Sequence, residues 1–305
     1  MKKLIALIVC IVLMLSLAGC GNNDGAQNKD KLQIVTTIFP LYDFARQVAG
    51  DKADVKLLLP TGAEVHSYEP TAKDVISIKE SDLFIHLGKG ADPWTDAVIN
   101  DADNERVNSL AVMESIEHIM TEEERISLSS TVHIDPHIWT SPENAEEIVE
   151  AISQKLSSID RGNAHYYEAN AEKYEDKLSA LDDKFDRLTD DKRVMMVFAD
   201  RFPFRYFAEE YDIKYLAAFP GCSSESEPSA ADVSKIIDTV KRDNIPVIFY
   251  TETSNGALAD TICEETGAGK LLFHSCHTVT EEQLQQGITY IDLMEQNYEA
   301  LKKAI

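Results

Sequence analysis

Short apolar runs alternate with helix-period stretches along this chain. The runs are "LQIVTTI", "DVKLLLP", "SDLFIHLG", "RVMMVFA", "KYLAAF", "IPVIFYT" and "KLLFH". They are rich in β-branched, aromatic and aliphatic residues, bounded by Pro, Gly or Asp, and predict strands. Between most of them lie amphipathic helices. One opens at "SPENAEEIVEAISQKLSSID", where Ser141 suits the N-cap and Pro142 the first helical position. Its Ile148, Ile152, Leu156 and Ile159 share a face. Another is "EPSAADVSKIIDTVKRDN", with Val233, Ile236, Ile237 and Val240 on its apolar side. Strands alternating with helices predict an α/β protein with parallel sheets covered on both faces.

The alternation is interrupted once. "AHYYEANAEKYEDKLSALDDKFDRL" is long and highly charged, with no strand, Gly or Pro. Tyr167, Tyr174, Leu178, Leu181, Phe185 and Leu188 give it a sparse apolar seam. The pattern predicts one long rigid helix (161–191) joining an N-terminal α/β lobe (32–160) to a C-terminal one (192–305). A coiled-coil dimer arm is the other reading, but the seam is short for sustained heptads. No repeat or low-complexity tract stands out.

The first residues change the picture of where the chain works. "MKKLIALIVCIVLMLSLAGC" has two lysines, an unbroken apolar run and small residues before Cys20. This predicts a secretory signal over 1–19. "LAGC" resembles the lipobox of bacterial lipoproteins, in which Cys20 would carry the lipid. Residues 20–31, polar and rich in Asn and Gly, predict a flexible tether. The expected setting is extracytoplasmic, lipid-anchored to a bacterial membrane. The formal net charge of -24 leaves no basic stripe for phosphates, so nucleic acid is excluded as a partner. Beyond the signal and Cys20, the cysteines are Cys222, Cys263 and Cys276, an odd number that cannot all pair within one chain.

Ligands of open parallel sheets bind beyond the carboxyl ends of the strands. Reactive side chains following predicted strands are His66, Asp200 with Arg201, Cys222, Glu252, and His274 with Cys276 and His277. They come from both halves, as a ligand held between two lobes requires. "HIDPHIWTSP" adds His137 on a stiff loop. Pro136 holds Asp135 extended, Trp139 can bury its ring, and Asp135 can orient the imidazole. His86, His118 and Cys263 read instead as surface or packed core positions.

At these loops the sequence resembles the lipoproteins that deliver zinc or manganese to bacterial ABC importers. "GAEVHSYEPTAKDV", "DLFIHLGKGADPW", "DPHIWTSPENA", "FPFRYFAEEYDI", "SSESEPSAADV" and "LADTICEETGA" match in order, from about Leu32 onward. The resemblance implies two α/β lobes joined by a rigid helix, with the metal in the cleft. It implies His66 and His137 as ligands. The third family position, a His or Glu, falls on Arg201, which has no lone pair for a metal. The fourth falls on His274. That leaves a tetrahedral site one ligand short. Water, Cys222 or Cys276 could complete it; in an extended segment Cys276 would point the same way as His274. Cys222 and Cys276 could also form a disulfide, leaving only Cys263 free. Asp200 is a further candidate ligand, or the ion-pair partner of Arg201. Nitrogen and sulfur donors favour Zn²⁺ over Mn²⁺. The His-rich loop common in zinc members is reduced to His133.

The expected protein is therefore a monomeric, non-enzymatic solute-binding lipoprotein that captures a divalent metal ion and passes it to an ABC permease. Two other readings stay open. One is a surface zinc hydrolase with Glu252 or Asp200 as base, though no HExxH or Gly-x-Ser-x-Gly is present. The other is an adhesin or chelate-binding protein in which Arg201 grips a carboxylate.

Overall fold

Two separate four-stranded parallel sheets form among the described residues. The structure is a computed structural model that describes residues 31–63, 68–88, 91, 93–99, 107–116, 135–190, 192–219 and 228–305. Cys20, His66, His118, His133 and Cys222 lie outside them, as do the signal and nearly all of the tether. The first sheet contains β1 (Leu32–Thr36), β2 (Ala53–Leu57), β3 (Leu83–His86) and β4 (Ser109–Ala111), in the order β2-β1-β3-β4. The second contains β5 (Met195–Phe198), β6 (Lys214–Ala217), β7 (Val247–Tyr250) and β8 (Gly269–Leu272), in the order β6-β5-β7-β8. Register pairs Ile34 with Val55 and Leu83, and Phe249 with Phe198 and Leu271. Each order reverses at its first strand, so a crevice opens beside β1 and beside β5.

The main helices are α1 (Phe39–Ala49), α2 (Ala72–Glu80), α3 (Pro142–Ile159), α4 (Ala164–Thr189), α5 (Ala230–Asp243), α6 (Ala257–Thr266) and α7 (Tyr290–Leu301). α3 starts as its sequence requires: the Asn144 N–H donates to the Ser141 hydroxyl at 3.0 Å, with Pro142 in the first turn. The same device opens two matching helices. In α2 the Asp74 N–H donates to the Thr71 hydroxyl at 3.3 Å; in α5 the Asp232 N–H donates to the Ser229 hydroxyl at 3.2 Å.

The charged stretch is the 26-residue α4, about 39 Å long. Its whole seam, Tyr167, Tyr174, Leu178, Leu181, Phe185 and Leu188, is buried within the chain. It packs along α1, α3 and α7, so this seam is committed inside the molecule rather than to a coiled-coil partner. Each Leu or Phe buried there contributes about 1.5–3 kcal/mol. One core runs through these helices and the inner faces of both sheets, from Ile34 to Leu301. Smaller clusters cover the outer face of each sheet. The result is two sheets on a shared helical spine, with the carboxyl ends of their strands free to carry loops.

Candidate metal centre

His137 stands at the entrance to a short 3-10 turn, Ile138–Thr140, just before the cap of α3. It is 1% exposed. Asp135 fixes it twice: the His137 backbone N–H donates to Oδ1 at 3.0 Å, and ring Nδ1 lies 2.5 Å from the same oxygen. A carboxylate only accepts, so the ring proton sits on Nδ1 and the lone pair on Nε2. Burial pushes the Asp135 carboxyl up, yet the His137 hydrogen bonds and charge, helped by Arg205, hold it below the usual range. Tyr206 Oη donates to the Asp135 carbonyl at 2.8 Å.

The second half supplies a partner ring. The His277 imidazole lies edge-on to His137, with centroids 4.7 Å apart, and 5.0 Å from the Trp139 ring. Trp139, fully buried, donates its indole N–H to the Ser275 carbonyl at 2.8 Å. Its own carbonyl accepts from Tyr290 Oη at 2.6 Å. The expected anchoring by Trp139 thus extends across the molecule, tying the His137 loop to the segment after β8.

The loop leading to His66 is pinned to that same segment. Gly62 N–H donates to the Thr278 hydroxyl at 2.9 Å and the Val279 carbonyl at 3.0 Å. Thr61 Oγ1 donates to Glu281 at 3.3 Å. Gly62 has φ of 73°, a left-handed conformation that glycine adopts without strain. Residues 61–62 therefore sit against 278–281, directly after His277.

The other candidates are placed differently. His274 is buried, and its Nδ1 accepts the Cys276 N–H at 2.9 Å. That puts the proton of the neutral ring on Nε2, which then presents an N–H rather than a lone pair. Burial holds the His274 pKa down, against the opposing charge of Glu252. Cys276 is not in an extended segment. Its φ is 63°, so it does not share His274's direction, and its thiol is 1% exposed. Burial, with Glu252 and Asp43 nearby, pushes that thiol well above its ordinary pKa. Among the described residues, Cys276 and Cys263 are both free thiols; the Cys222–Cys276 pairing involves Cys222, which lies outside them.

Asp200 uses both oxygens structurally: Oδ2 accepts from Thr251 N at 3.1 Å and Oγ1 at 2.5 Å, and Oδ1 from Arg201 N at 2.8 Å. Arg201 is half-buried on the loop after β5. Glu252, after β7, accepts from Ser275 N–H at 2.8 Å and Oγ at 2.6 Å. Ser275 Oγ in turn lies 2.5 Å from His277 Nδ1. Among the described residues, no three His, Cys, Asp or Glu side chains form a metal-holding group by themselves.

Residues 34–304 match the family described as zinc-uptake complex component A, periplasmic, ZnuA. The chain belongs to this family. The high-affinity zinc uptake system protein ZnuA of Bacillus subtilis is 34% identical over 315 residues, covering 100% of this chain and 98% of that protein. The zinc-binding lipoprotein AdcA of Streptococcus pneumoniae serotype 4 is 33% identical over 314 residues, 99% of this chain but 61% of AdcA. The crystal structure of the Zn(II)-bound ZnuA-like domain of Streptococcus pneumoniae AdcA superposes with a TM-score of 0.76 at 33% identity, covering 90% of this chain and 98% of that domain.

For this ZnuA-family chain, sequence reasoning singled out His137 through its stiff loop and named His277 only beside His274. It missed Ser275 altogether. In "FHSCH" the expected strand alternation sets Cys276 beside His274, and the left-handed residue at Cys276 breaks that alternation before His277.

Proposed function

We propose that this chain is an extracytoplasmic zinc-binding component that holds Zn²⁺ between its two lobes and presents it to an ABC permease. The supporting observation is the meeting of His137 and His277, one from each half, with the base of the His66 loop pinned beside them. His66, His137 and His277 are then three nitrogen donors, and water or Cys222 fills a fourth position. Such a set favours Zn²⁺ over Mn²⁺, which prefers oxygen-rich shells. The match to zinc-uptake proteins supports the same reading. Residues 1–19 serve as a removed signal, Cys20 carries lipid, and 20–31 tether the lobes to the membrane. The hydrolase reading is weakened because Glu252 and Asp200 spend their oxygens on neighbouring residues.

Titrating the purified chain with Zn²⁺ and Mn²⁺, by calorimetry and thermal melting, tests this. Zn²⁺ at about a hundred times Kd adds about 2.7 kcal/mol, several degrees in a domain of this size. His137→Ala abolishes that rise. Melting indifferent to both zinc and chelator would overturn the reading.

A further inference from the structure

We propose that Glu252 and Ser275 act together as a positioning pair that fixes the tautomer and aim of His277, making it a nitrogen donor. This rests on the reading of His277 as a ligand. The argument is proton counting. As a carboxylate, Glu252 only accepts, and both its oxygens are taken by Ser275, through N–H at 2.8 Å and Oγ at 2.6 Å. A serine hydroxyl has one proton, and here it goes to Glu252 Oε1. The 2.5 Å contact between Ser275 Oγ and His277 Nδ1 must then be the ring N–H donating to the hydroxyl oxygen. The lone pair of His277 is left on Nε2.

The surroundings keep this arrangement in place. Ser275 is 1% exposed and His277 5%, so bulk water does not compete for these bonds. Ser275 is held from a third side, because its carbonyl accepts the Trp139 indole N–H at 2.8 Å. One residue therefore joins the His277 ring to the His137 loop. His137 reaches the same tautomer directly through Asp135, and His277 reaches it through a hydroxyl relay to Glu252. His274, three residues earlier, is held by the Cys276 N–H in the opposite tautomer. Of the two histidines in "FHSCH", only His277 is set up as a donor. Partners of this kind are worth about 10–100-fold in metal affinity.

The test reads the tautomer and the affinity separately. Long-range ¹H–¹⁵N spectra of the metal-free chain report which His277 nitrogen is protonated, and competition with a chromophoric chelator reports Zn²⁺ affinity. In the parent, the proton is on Nδ1. In Ser275→Ala the Nδ1-protonated form loses its dominance and Zn²⁺ binding weakens about 10–100-fold. Glu252→Gln changes both in the same direction, and Ser275→Thr, which keeps the hydroxyl, restores both. A Ser275→Ala protein with unchanged tautomer and affinity overturns the positioning role. His277→Ala distinguishes the layers: no loss of affinity there removes His277 from the ligand set, whereas a loss in His277→Ala without one in Ser275→Ala overturns only the relay. Metal-free melting curves identify any variant that has lost its fold; if Ser275→Ala has, Glu252→Gln carries the comparison, and unchanged tautomer and affinity there overturn the relay.

Discussion

Asp43 is fully buried on α1, yet it bonds to two other parts of the chain as well as to its own helix. Its Oδ2 accepts from Tyr174 Oη on α4 at 3.0 Å and from the Tyr290 N–H at the start of α7 at 2.8 Å. Its Oδ1 accepts from Arg46 and Gln47, each at 3.2 Å. Burial pushes the carboxyl pKa up, and the bonds from Tyr290, Gln47 and Tyr174 and the Arg46 charge oppose it. The carboxylate thus joins the first lobe to the spine and to the C-terminal helix. Asp43→Ala leaves the Tyr174 hydroxyl and Tyr290 N–H stranded in a dry core. The expected loss is about 3 kcal/mol or more, read as a lower urea midpoint with an unchanged slope. A loss under about 0.5 kcal/mol would show the network to be dispensable. Nothing in "FPLYDFARQ" marks Asp43 for this role, because its acceptors' partners lie up to 247 residues away.

Among the elements, legibility followed the strength of the local pattern. The seam of α4 was readable because six apolar residues recur at helical spacing without a breaker, and all six are buried. The cap of α3 was readable for a similar reason: Ser-Pro-Glu-Asn contains its own hydrogen-bond logic. Ser141→Ala removes the acceptor for Asn144 N–H at a position 3% exposed. The expected cost is about 1 kcal/mol in chemical denaturation, toward 2 because the orphaned N–H is buried. β4 was missed. It is only Ser109–Ala111, too short and too poor in β-branched residues to stand out, and pairing with β3 creates it. In the proposed site, His137 was legible because Pro136 and Trp139 constrain its own loop. His277 was not, because its direction depends on one left-handed backbone residue and its tautomer on Glu252, 25 positions upstream.

At the scale of the whole molecule, several acids of α3 and α4 face Glu210 and one another. Glu210 accepts the Glu143 N–H at 3.2 Å. Burial, with the Asp182 and Glu143 charges, raises its pKa to about 8 against its hydrogen bonds. Burial beside Asp182, Glu175 and Glu143 raises Glu146 to about 7. Both folded pKa values exceed the ordinary 4.5, so the folded state binds more protons than the unfolded one in between. Their stabilising contribution is complete below about pH 4.5 and is lost as pH rises through 7 to 8. Metal-free melting temperatures of the parent should therefore fall more steeply over pH 5–8 than those of Glu210→Gln. Parallel curves would remove Glu210 from this role. The shared strand order and the paired caps of α2 and α5 have a different consequence. "EPTAKDV" and "EPSAADV" open the equivalent helices, so the repeat that was not evident in the linear sequence is located by the topology. The two sheets share one strand order, and the helices α2 and α5 share one capping pattern. Counting back from the common Glu-Pro, His66 has Ser224 as its counterpart. The same motif thus stands beside a histidine in one half of the sequence and beside a serine in the other.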